Sequence, residues 1–150
     1  MIERRSASRA ETEALGAALA RILRRGDVVT LSGAMGAGKT VLVNGIVRAL
    51  GSDEDAASPT FALAHEYPTD PPVVHMDACR LENEREFRSA GMEEYLGREA
   101  VCLLEWPDAG IRFLPDSRLD ILIRGCGDEE RTIYLRPVGN DWEMRMEDFE

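Results

Sequence analysis

Residues 33–40, GAMGAGKT, fit the pattern G-x-x-x-x-G-K-[ST] and could bind the phosphates of a nucleoside triphosphate. Glycine lets successive backbone N–H groups turn toward an anion, because no Cβ blocks its approach. Lys39 can reach the β- and γ-phosphate oxygens, and the hydroxyl of Thr40 can ligate Mg²⁺. A helix that begins here adds the positive end of its dipole. The pattern therefore predicts a phosphate-binding loop between a strand and a helix.

Lys39 is the only lysine among the 18 lysine and arginine residues of the chain. Charge alone does not explain it, because arginine supplies the positive charge at every other basic position. A guanidinium is a planar fork, whereas an ammonium is a compact point charge that fits inside a ring of backbone N–H groups. The retained lysine supports the interpretation of residues 33–40 as a phosphate-binding loop.

Two acidic residues end apolar runs, Asp77 in VVHMD and Glu105 in VCLLE. In proteins with a phosphate-binding loop, a carboxylate at the carboxyl end of a neighbouring strand holds Mg²⁺ or orients the attacking water. If both runs are parallel strands, both carboxylates reach the sheet edge where the phosphates lie. We therefore expect both residues to be functional, with the division of roles between them left open.

Other kinds of nucleotide and metal site fit the sequence less well. A dinucleotide-binding G-x-G-x-x-G would need a glycine where Val41 stands, and guanine selection by N-K-x-D would need a second lysine. His75, Asp77 and Cys79 share one strand face, but neighbouring residues on one strand rarely converge on a zinc ion. A hydrogen-bonded core histidine is the favoured interpretation of His75.

The segment SPT at residues 58–60 precedes an alternating strand pattern and allows two interpretations. It can be an ordinary turn, because serine and proline are common turn residues. It can also be a switch loop whose hydroxyl groups sense a γ-phosphate. The residue types alone favour neither interpretation over the other.

Helix and strand patterns alternate along the chain and position these residues. Ser8 and Glu11 form a capping-box pattern at the start of the first helix. The predicted elements are a helix over 8–25, a strand over 27–31, a helix over 40–50, strands over 61–67 and 73–79, a helix over 80–96 with a break near Gly91, a strand over 101–106, an antiparallel pair over 118–125 and 131–137, and a short helix or frayed end over 139–150. The pattern predicts a single α/β domain over 1–150, with a mixed sheet whose antiparallel strands lie near the C-terminus.

The composition restricts the function classes that fit. A formal net charge of −10 argues against a protein that grips nucleic acid by itself, because phosphate binding needs a basic face. The three cysteines form no C-x-x-C pair, so neither a disulfide framework nor a zinc ribbon is predicted. The N-terminus lacks the apolar core of a signal peptide, and no apolar run approaches the roughly 20 residues of a membrane span. These features predict a reduced, cytoplasmic protein.

Five motifs follow one another along the chain: GAMGAGKT, SPTFALAHEY, VVHMDACRL, VCLLEWPD and LPD. As a set they resemble the bacterial TsaE family, also called YjeE, the P-loop ATPase of tRNA threonylcarbamoyladenosine synthesis. The resemblance runs from Glu11 to Arg131 and so covers most of the chain. E-W-P after a buried strand, together with S-P-T-F and H-x-D-x-x-R-L, is not a general P-loop feature. The resemblance implies the three-layer sandwich of P-loop NTPases.

The resemblance also implies an activity and partners. The protein would be an ATPase that uses ATP and Mg²⁺ and works with the TsaB–TsaD heterodimer, with weak hydrolysis in the absence of these partners. TsaD transfers threonylcarbamoyl to A37 of tRNAs that read ANN codons, and the ATP cycle would serve turnover of the complex. The tRNA would be held mainly by the partners, which suits the acidic composition, and no membrane would be involved.

Carried over position by position, the resemblance implies roles in the reaction. The catalytic residues would be Lys39, Asp77 and Arg80, and the metal site would use Thr40, Glu105 and Asp77. Thr40 and Glu105 would hold the ion, while Asp77 would sit beside it and orient the attacking water. Arg80 would lie in a switch-like segment near the γ-phosphate.

Further residues would contact the nucleotide. Thr60 would lie in a second switch-like segment, and Trp106 would follow the metal carboxylate and report on the nucleotide. Thr12 and Arg131 would line the base pocket. The full set expected to bind the nucleotide is Thr12, Gly33, Met35, Gly36, Ala37, Gly38, Lys39, Thr40, Val41, Thr60, Trp106 and Arg131. One position departs from the family pattern, since Cys79 stands where a tyrosine usually follows H-x-D-x.

Two other functions are compatible with a phosphate-binding loop. The main alternative is a phosphotransferase that acts on a small metabolite, because such kinases share the P-loop. They generally add a mobile arginine-rich lid and an acceptor pocket, and no segment between the predicted strands is an obvious lid. The other alternative is an ATP-gated binding module whose hydrolysis is incidental.

Overall fold

The computed structural model describes residues 1–57, 63–147 and 149, which form seven β-strands and four α-helices. In chain order these are β1 (Ile2–Ser6), α1 (Arg9–Ala20), β2 (Val28–Ser32), α2 (Lys39–Ala49), β3 (Ala64–Tyr67), β4 (Val73–Asp77), α3 (Glu84–Ser89), β5 (Val101–Glu105), β6 (Arg118–Arg124), β7 (Arg131–Val138) and α4 (Asn140–Glu147). Two 3₁₀ helices, Met92–Tyr95 and Pro107–Phe113, flank β5.

The strands form one mixed sheet in the order β1-β7-β6-β2-β5-β4-β3. β4, β5, β2 and β6 are parallel neighbours, so their carboxyl ends meet at one edge. β7 runs antiparallel to both β6 and β1, as the late position of the antiparallel pair predicts. β3 is also antiparallel, to β4, so antiparallel pairing occurs at both sides of the sheet.

Helices cover both faces of the sheet, which confirms the predicted α/β class and its three layers. Val101 and Leu103 of β5 pack in the core cluster that contains α1, α2 and α4. Cys102 and Leu104, on the opposite face, pack with α3 and the two 3₁₀ helices. All five residues of β5 are buried for this reason, and a central strand covered on both faces has a continuous apolar run.

The first two helices approach each other closely through glycine. A Cβ on Gly16 of α1 would lie 2.5 Å from the carbonyl oxygen of Leu42 in α2. A Cβ on Gly45 of α2 would collide with the backbone of Glu13. This contact fixes α2 against α1 and thereby fixes the helix end that follows the predicted phosphate-binding loop.

Two helix predictions were wrong at their boundaries, and the strand predicted over 73–79 ends at Asp77. α1 ends at Ala20 rather than at residue 25, because Asp27 accepts a hydrogen bond from the backbone N–H of Arg24 (2.6 Å) and holds this segment as a turn. α3 begins at Glu84 rather than at residue 80, because the side chain of Asn83 accepts from the N–H of Glu86 and caps the helix there. The predicted break near Gly91 is confirmed, since Gly91 has a φ of 79°.

The sequence did not predict β1 or the helical turns of Pro107–Phe113. In β1, IERRS contains one apolar residue, and an edge strand that pairs only with β7 needs no apolar run. The short tail helix predicted over 139–150 is confirmed by α4. Among the residues that the structure describes, no helix is long and apolar enough to cross a membrane.

Candidate functional site

The predicted phosphate-binding loop joins β2 to α2. Its three glycines, Gly33, Gly36 and Gly38, have φ values of 148°, 80° and 107°, a region that L side chains rarely adopt. A Cβ on Gly33 would lie 2.6 Å from the carbonyl oxygen of Ile123 in β6, so only glycine fits there. A Cβ on Gly36 or Gly38 would meet no atom within 4 Å, so space remains beside the loop backbone. This geometry suits a loop that surrounds an anion.

Lys39 begins α2 with only 6% of its surface exposed. Its Nζ donates a hydrogen bond to the carbonyl oxygen of Gly33 (2.6 Å) and lies 3.7 Å from the centre of the Trp106 ring. Burial lowers the pKa of Lys39, while the nearby carboxylates of Glu105 and Asp77 act in the opposite direction. The ammonium is therefore enclosed by the loop, an aromatic face and two acids.

The two strand-end carboxylates lie beside each other, as the sequence predicted. Asp77 of β4 pairs in register with Glu105 of β5, and Glu105 also pairs with Leu31 of β2. Glu105 is 2% exposed, and its Oε2 lies 2.5 Å from Nε2 of His75, which is fully buried. The prediction of a hydrogen-bonded core histidine is confirmed, but its partner was not foreseen.

Asp77 has different surroundings from Glu105. It is half-buried, and its Oδ1 accepts a hydrogen bond from the backbone N–H of Cys79 (2.9 Å). Partial desolvation raises the pKa of the Cys79 thiol, and a hydrogen bond from that thiol to Asp77 and the negative charge of Asp77 raise the pKa further. Cys79 and Arg80 are both exposed in the turn that follows β4.

Trp106 lies in a backbone conformation that is uncommon for residues other than glycine. Its φ is 55°, and its N–H donates to the carbonyl oxygen of Leu31 (3.1 Å). Such conformations cost free energy and concentrate at functional sites. Here the conformation follows Glu105 directly and accompanies the stacking of the indole ring against the ammonium of Lys39.

A cavity of about 310 Å³ opens on the other side of the loop, toward α1. Five residues predicted to bind the nucleotide line it, namely Thr12, Ala37, Gly38, Val41 and Arg131. The hydroxyl of Thr12 is buried and lies 2.6 Å from the hydroxyl of Ser6 in β1. The cavity therefore brings together Thr12 and Arg131, the two residues predicted to line a base pocket.

Arg131 supports the loop as well as lining this cavity. Its Nε donates to the carbonyl oxygen of Ala37 (2.9 Å), and its Nη2 donates to that of Gly36 (3.3 Å). The guanidinium therefore holds the outer carbonyl groups of the loop, which leaves the opposite, N–H side of the backbone for an anion. The prediction from sequence gave Arg131 a role in a base pocket and did not include its hydrogen bonds to the loop. Those bonds form because β7 passes close to the loop, which is decided only when the sheet folds.

Some predicted residues do not join this cluster. Thr60 and the rest of residues 58–60 lie outside the described residues, so the two interpretations of that segment stay predictions. Met35 is 85% exposed at the tip of the loop. Arg80 contributes a charge near Cys79 but makes no hydrogen bond within the described part of the chain. The supporting residues that sequence missed are His75, as the partner of Glu105, and Ser6, as the partner of Thr12.

Comparison with known proteins gives consistent matches over most of the chain. The family model of threonylcarbamoyl adenosine biosynthesis protein TsaE matches residues 6–133. The tRNA threonylcarbamoyladenosine biosynthesis protein TsaE of Bacillus subtilis (strain 168) is 41% identical over 139 residues, 92% of this chain and 87% of that protein. The protein of the same description from Treponema pallidum (strain Nichols) is 36% identical over 130 residues, 87% of this chain and 96% of that protein.

A solved structure supports the same relationship. The crystal structure of YdiB from Bacillus subtilis superposes with a TM-score of 0.81 at 35% identity, covering 99% of this chain and 93% of that one. This similarity confirms the P-loop fold that the loop and the sheet order indicate. The matched range contains the loop, both strand-end carboxylates and the residues that line the cavity beside the loop. The chain therefore belongs to the TsaE family, whose relatives carry the name of tRNA threonylcarbamoyladenosine biosynthesis.

Proposed function

We propose that the protein is a Mg²⁺-dependent ATPase that works with the TsaB–TsaD heterodimer in the threonylcarbamoylation of A37 in tRNAs reading ANN codons. The observation that carries the proposal is the placement of Glu105 and Asp77 in register beside the buried ammonium of Lys39. A phosphate-binding loop alone indicates only a nucleoside triphosphate. Two carboxylates at the same sheet edge add the groups that hydrolysis of the γ-phosphate requires.

The residues of the loop would bind the phosphates of the substrate ATP. Backbone N–H groups of residues 33–40 and the start of α2 would face the anion. Lys39 would exchange its hydrogen bond to Gly33 for the β- and γ-phosphate oxygens, with the ring of Trp106 limiting where the ammonium can go. The base would enter the cavity that Thr12, Val41 and Arg131 line.

Thr40 and Glu105 would hold Mg²⁺, with Asp77 beside it. Among the described residues, no group of three His, Cys, Asp or Glu side chains could hold a metal. A site with only one or two carboxylates suits Mg²⁺, because this ion usually binds one or two carboxylates together with substrate phosphates. When bound, the ion supplies positive charge that stabilises the transferred phosphoryl group. Asp77, on the more exposed strand end, would orient the attacking water, and Arg80 would approach the γ-phosphate.

Partners would complete the function. Hydrolysis would be weak in isolation, since Arg80 and Cys79 in the turn after β4 are exposed and would be ordered by a partner. The net charge of −10 is unsuited to holding tRNA directly, so the TsaB–TsaD pair would carry the tRNA in the cytoplasm.

The test is phosphate release from ATP by the full chain, measured alone, with purified TsaB–TsaD, and with TsaB–TsaD plus tRNA. The pair alone serves as the blank. We expect stimulation of about tenfold or more, as for other P-loop hydrolases completed by a partner. Absence of stimulation by an intact pair contradicts the proposal, and transfer of labelled γ-phosphate to any acceptor other than water supports a phosphotransferase instead.

A further inference from the structure

A groove of about 710 Å³ lies on the face of the sheet that points away from α1 and α2. We call it the open face and define it by Met1, Ile111, Leu122, Arg124, Tyr134 and Arg136, which line it. It is separate from the smaller cavity beside the phosphate-binding loop. None of the roles assigned above to Lys39, Asp77, Glu105 or their neighbours uses these side chains.

The open face exists because the helices of the third layer are short. α3 and the 3₁₀ helices pack against β4 and β5 and do not extend over β6 and β7. On β6, Leu119, Ile121 and Ile123 are at most 1% exposed against the α1 and α2 side, whereas the residues between them are half-buried or exposed. Among the described residues, the outward side of β6 and β7 is therefore bordered by Met1 and the 3₁₀ helix Pro107–Phe113 but is not covered by a helical layer.

Apolar and cationic side chains share this surface. Met1 is 81% exposed and Ile111 is 55% exposed, and both line the groove. Arg124 and Arg136 form no ion pair within the described part of the chain, and Arg124 lies 5.6 Å from the centre of the Tyr134 ring. Both guanidinium groups are therefore available to a carboxylate of a bound molecule. Methionine, tyrosine and arginine are enriched at the centre of protein interfaces.

The open face continues to the phosphate-binding loop. Ser32 lines the groove and precedes Gly33, whose backbone lies against the carbonyl group of Ile123. Arg124 is the next residue of β6. A molecule seated on the open face would therefore lie beside the first residue of the loop.

We propose that the open face docks the protein partner of the ATPase, through a segment that places an apolar side chain against Ile111 and Leu122 and carboxylates against Arg124 and Arg136. This inference rests on the proposed function, because that function requires a protein partner. A two-fold dimer through this face would bring the same arginines against each other. Single-stranded RNA fits less well, because the groove contains aliphatic side chains and the carboxylates of Asp108 and Asp120.

The experiment measures the Kd of the full chain for immobilised TsaB–TsaD in the presence of ATP and Mg²⁺. Arg136→Glu and Ile111→Ser alter the open face, while Arg21→Glu and Met144→Ser are matched changes at exposed positions elsewhere. We expect each open-face variant to raise the Kd about tenfold and each control to leave it within about twofold. The Kd of Arg136→Glu should also depend less on salt concentration, because a charge pair is removed.

The results distinguish a protein partner from RNA or a second copy of the chain on the open face. A fluorescent ATP analogue should bind all four variants as it binds the original chain, which shows that the loop is intact. Equal Kd values for open-face and control variants overturn the inference while the proposed function stands, and no binding by the original chain overturns both. If the open-face variants instead lose affinity for tRNA, or lose a dimer seen by sedimentation, the occupant is RNA or a second copy and the inference is wrong.

Discussion

Asp77 and Glu105 end neighbouring parallel strands at the same level of the sheet, yet the protein surrounds the two carboxylates differently. Glu105 is 2% exposed and is held by the buried ring of His75. Asp77 is half-buried and uses one oxygen to accept the N–H of Cys79 in an exposed turn. Burial and a rigid partner restrict Glu105 to a single position, whereas Asp77 is bonded only to the exposed turn that follows its strand.

This difference bears on the division of roles that sequence left open. Mg²⁺ demands near-ideal octahedral geometry, so a carboxylate fixed by a second residue suits it. A water that attacks phosphorus must be admitted and replaced in each cycle, which suits a carboxylate at a more exposed strand end. We therefore propose that Glu105 chiefly binds the metal and Asp77 chiefly orients the water, and the following changes test that assignment.

The assignment would fail if both acids served only as counter-charges for Lys39. Lys39→Arg keeps the charge, so a counter-charge role predicts that it is tolerated. We expect partner-stimulated ATP hydrolysis to fall on the order of 10³-fold, because a planar fork does not fit between Gly33 and the Trp106 ring. Phosphate release and binding of a fluorescent ATP analogue measure the effect. Arg48→Lys, the reverse change on the exposed part of α2, is the control, and near-normal turnover by Lys39→Arg contradicts the prediction.

Glu105→Gln removes the charge of the buried acid but keeps an oxygen that can bond His75. We expect hydrolysis to fall about 10²–10³-fold while ATP stays bound, since a neutral amide is a poor Mg²⁺ ligand. The Mg²⁺ concentration for half-maximal activity should rise. Production of modified tRNA should stop as well, and its continuation would favour a binding module whose hydrolysis is incidental. Thermal unfolding should show that the fold survives.

Asp77→Asn is the matched change at the more exposed strand end. We expect a loss of about 10²-fold in the maximal rate, within the range for a group that orients or deprotonates a nucleophile. The Mg²⁺ concentration for half-maximal activity should stay the same, in contrast to Glu105→Gln. Titration of phosphate release with Mg²⁺ for both variants separates the roles. A shift of equal size in the two titrations would show that the acids share the metal, and the assignment above would then be wrong.

The sequence predicted the positions of these acids but not their surroundings. Apolar runs that end in an acid define buried strands, and the carboxyl ends of parallel strands must meet at one edge. The loop pattern and the lone Lys39 locate that edge. No local pattern shows that His75 pairs with Leu103 and so reaches Glu105, because the register between β4 and β5 is set only in the folded sheet.

The same limit explains the other misses. β1 has one apolar residue in IERRS, so its pairing with β7 and the contact of Ser6 with Thr12 had no sequence signal. The hydrogen bonds from Arg131 to the carbonyl groups of Ala37 and Gly36 connect positions that are separated by 94 and 95 residues in the sequence. Short-range patterns therefore locate the loop and the strand ends, while long-range contacts decide how each side chain is held.

The smallest expected effect uses Cys79 as a reporter of the two acids. Partial burial and then the hydrogen bond and charge of Asp77 raise the pKa of its thiol, whereas Glu105 contributes less. Asp77→Asn should therefore lower that pKa, increase the thiolate fraction at pH 8 and speed alkylation by iodoacetamide roughly threefold. Glu105→Gln should change the rate less. Mass spectrometry in a Cys126→Ser background isolates Cys79, because Cys102 is buried with its pKa raised to about 12. If both variants speed the alkylation of Cys79 equally, the two carboxylates affect this turn alike, and the difference drawn here between their surroundings is wrong.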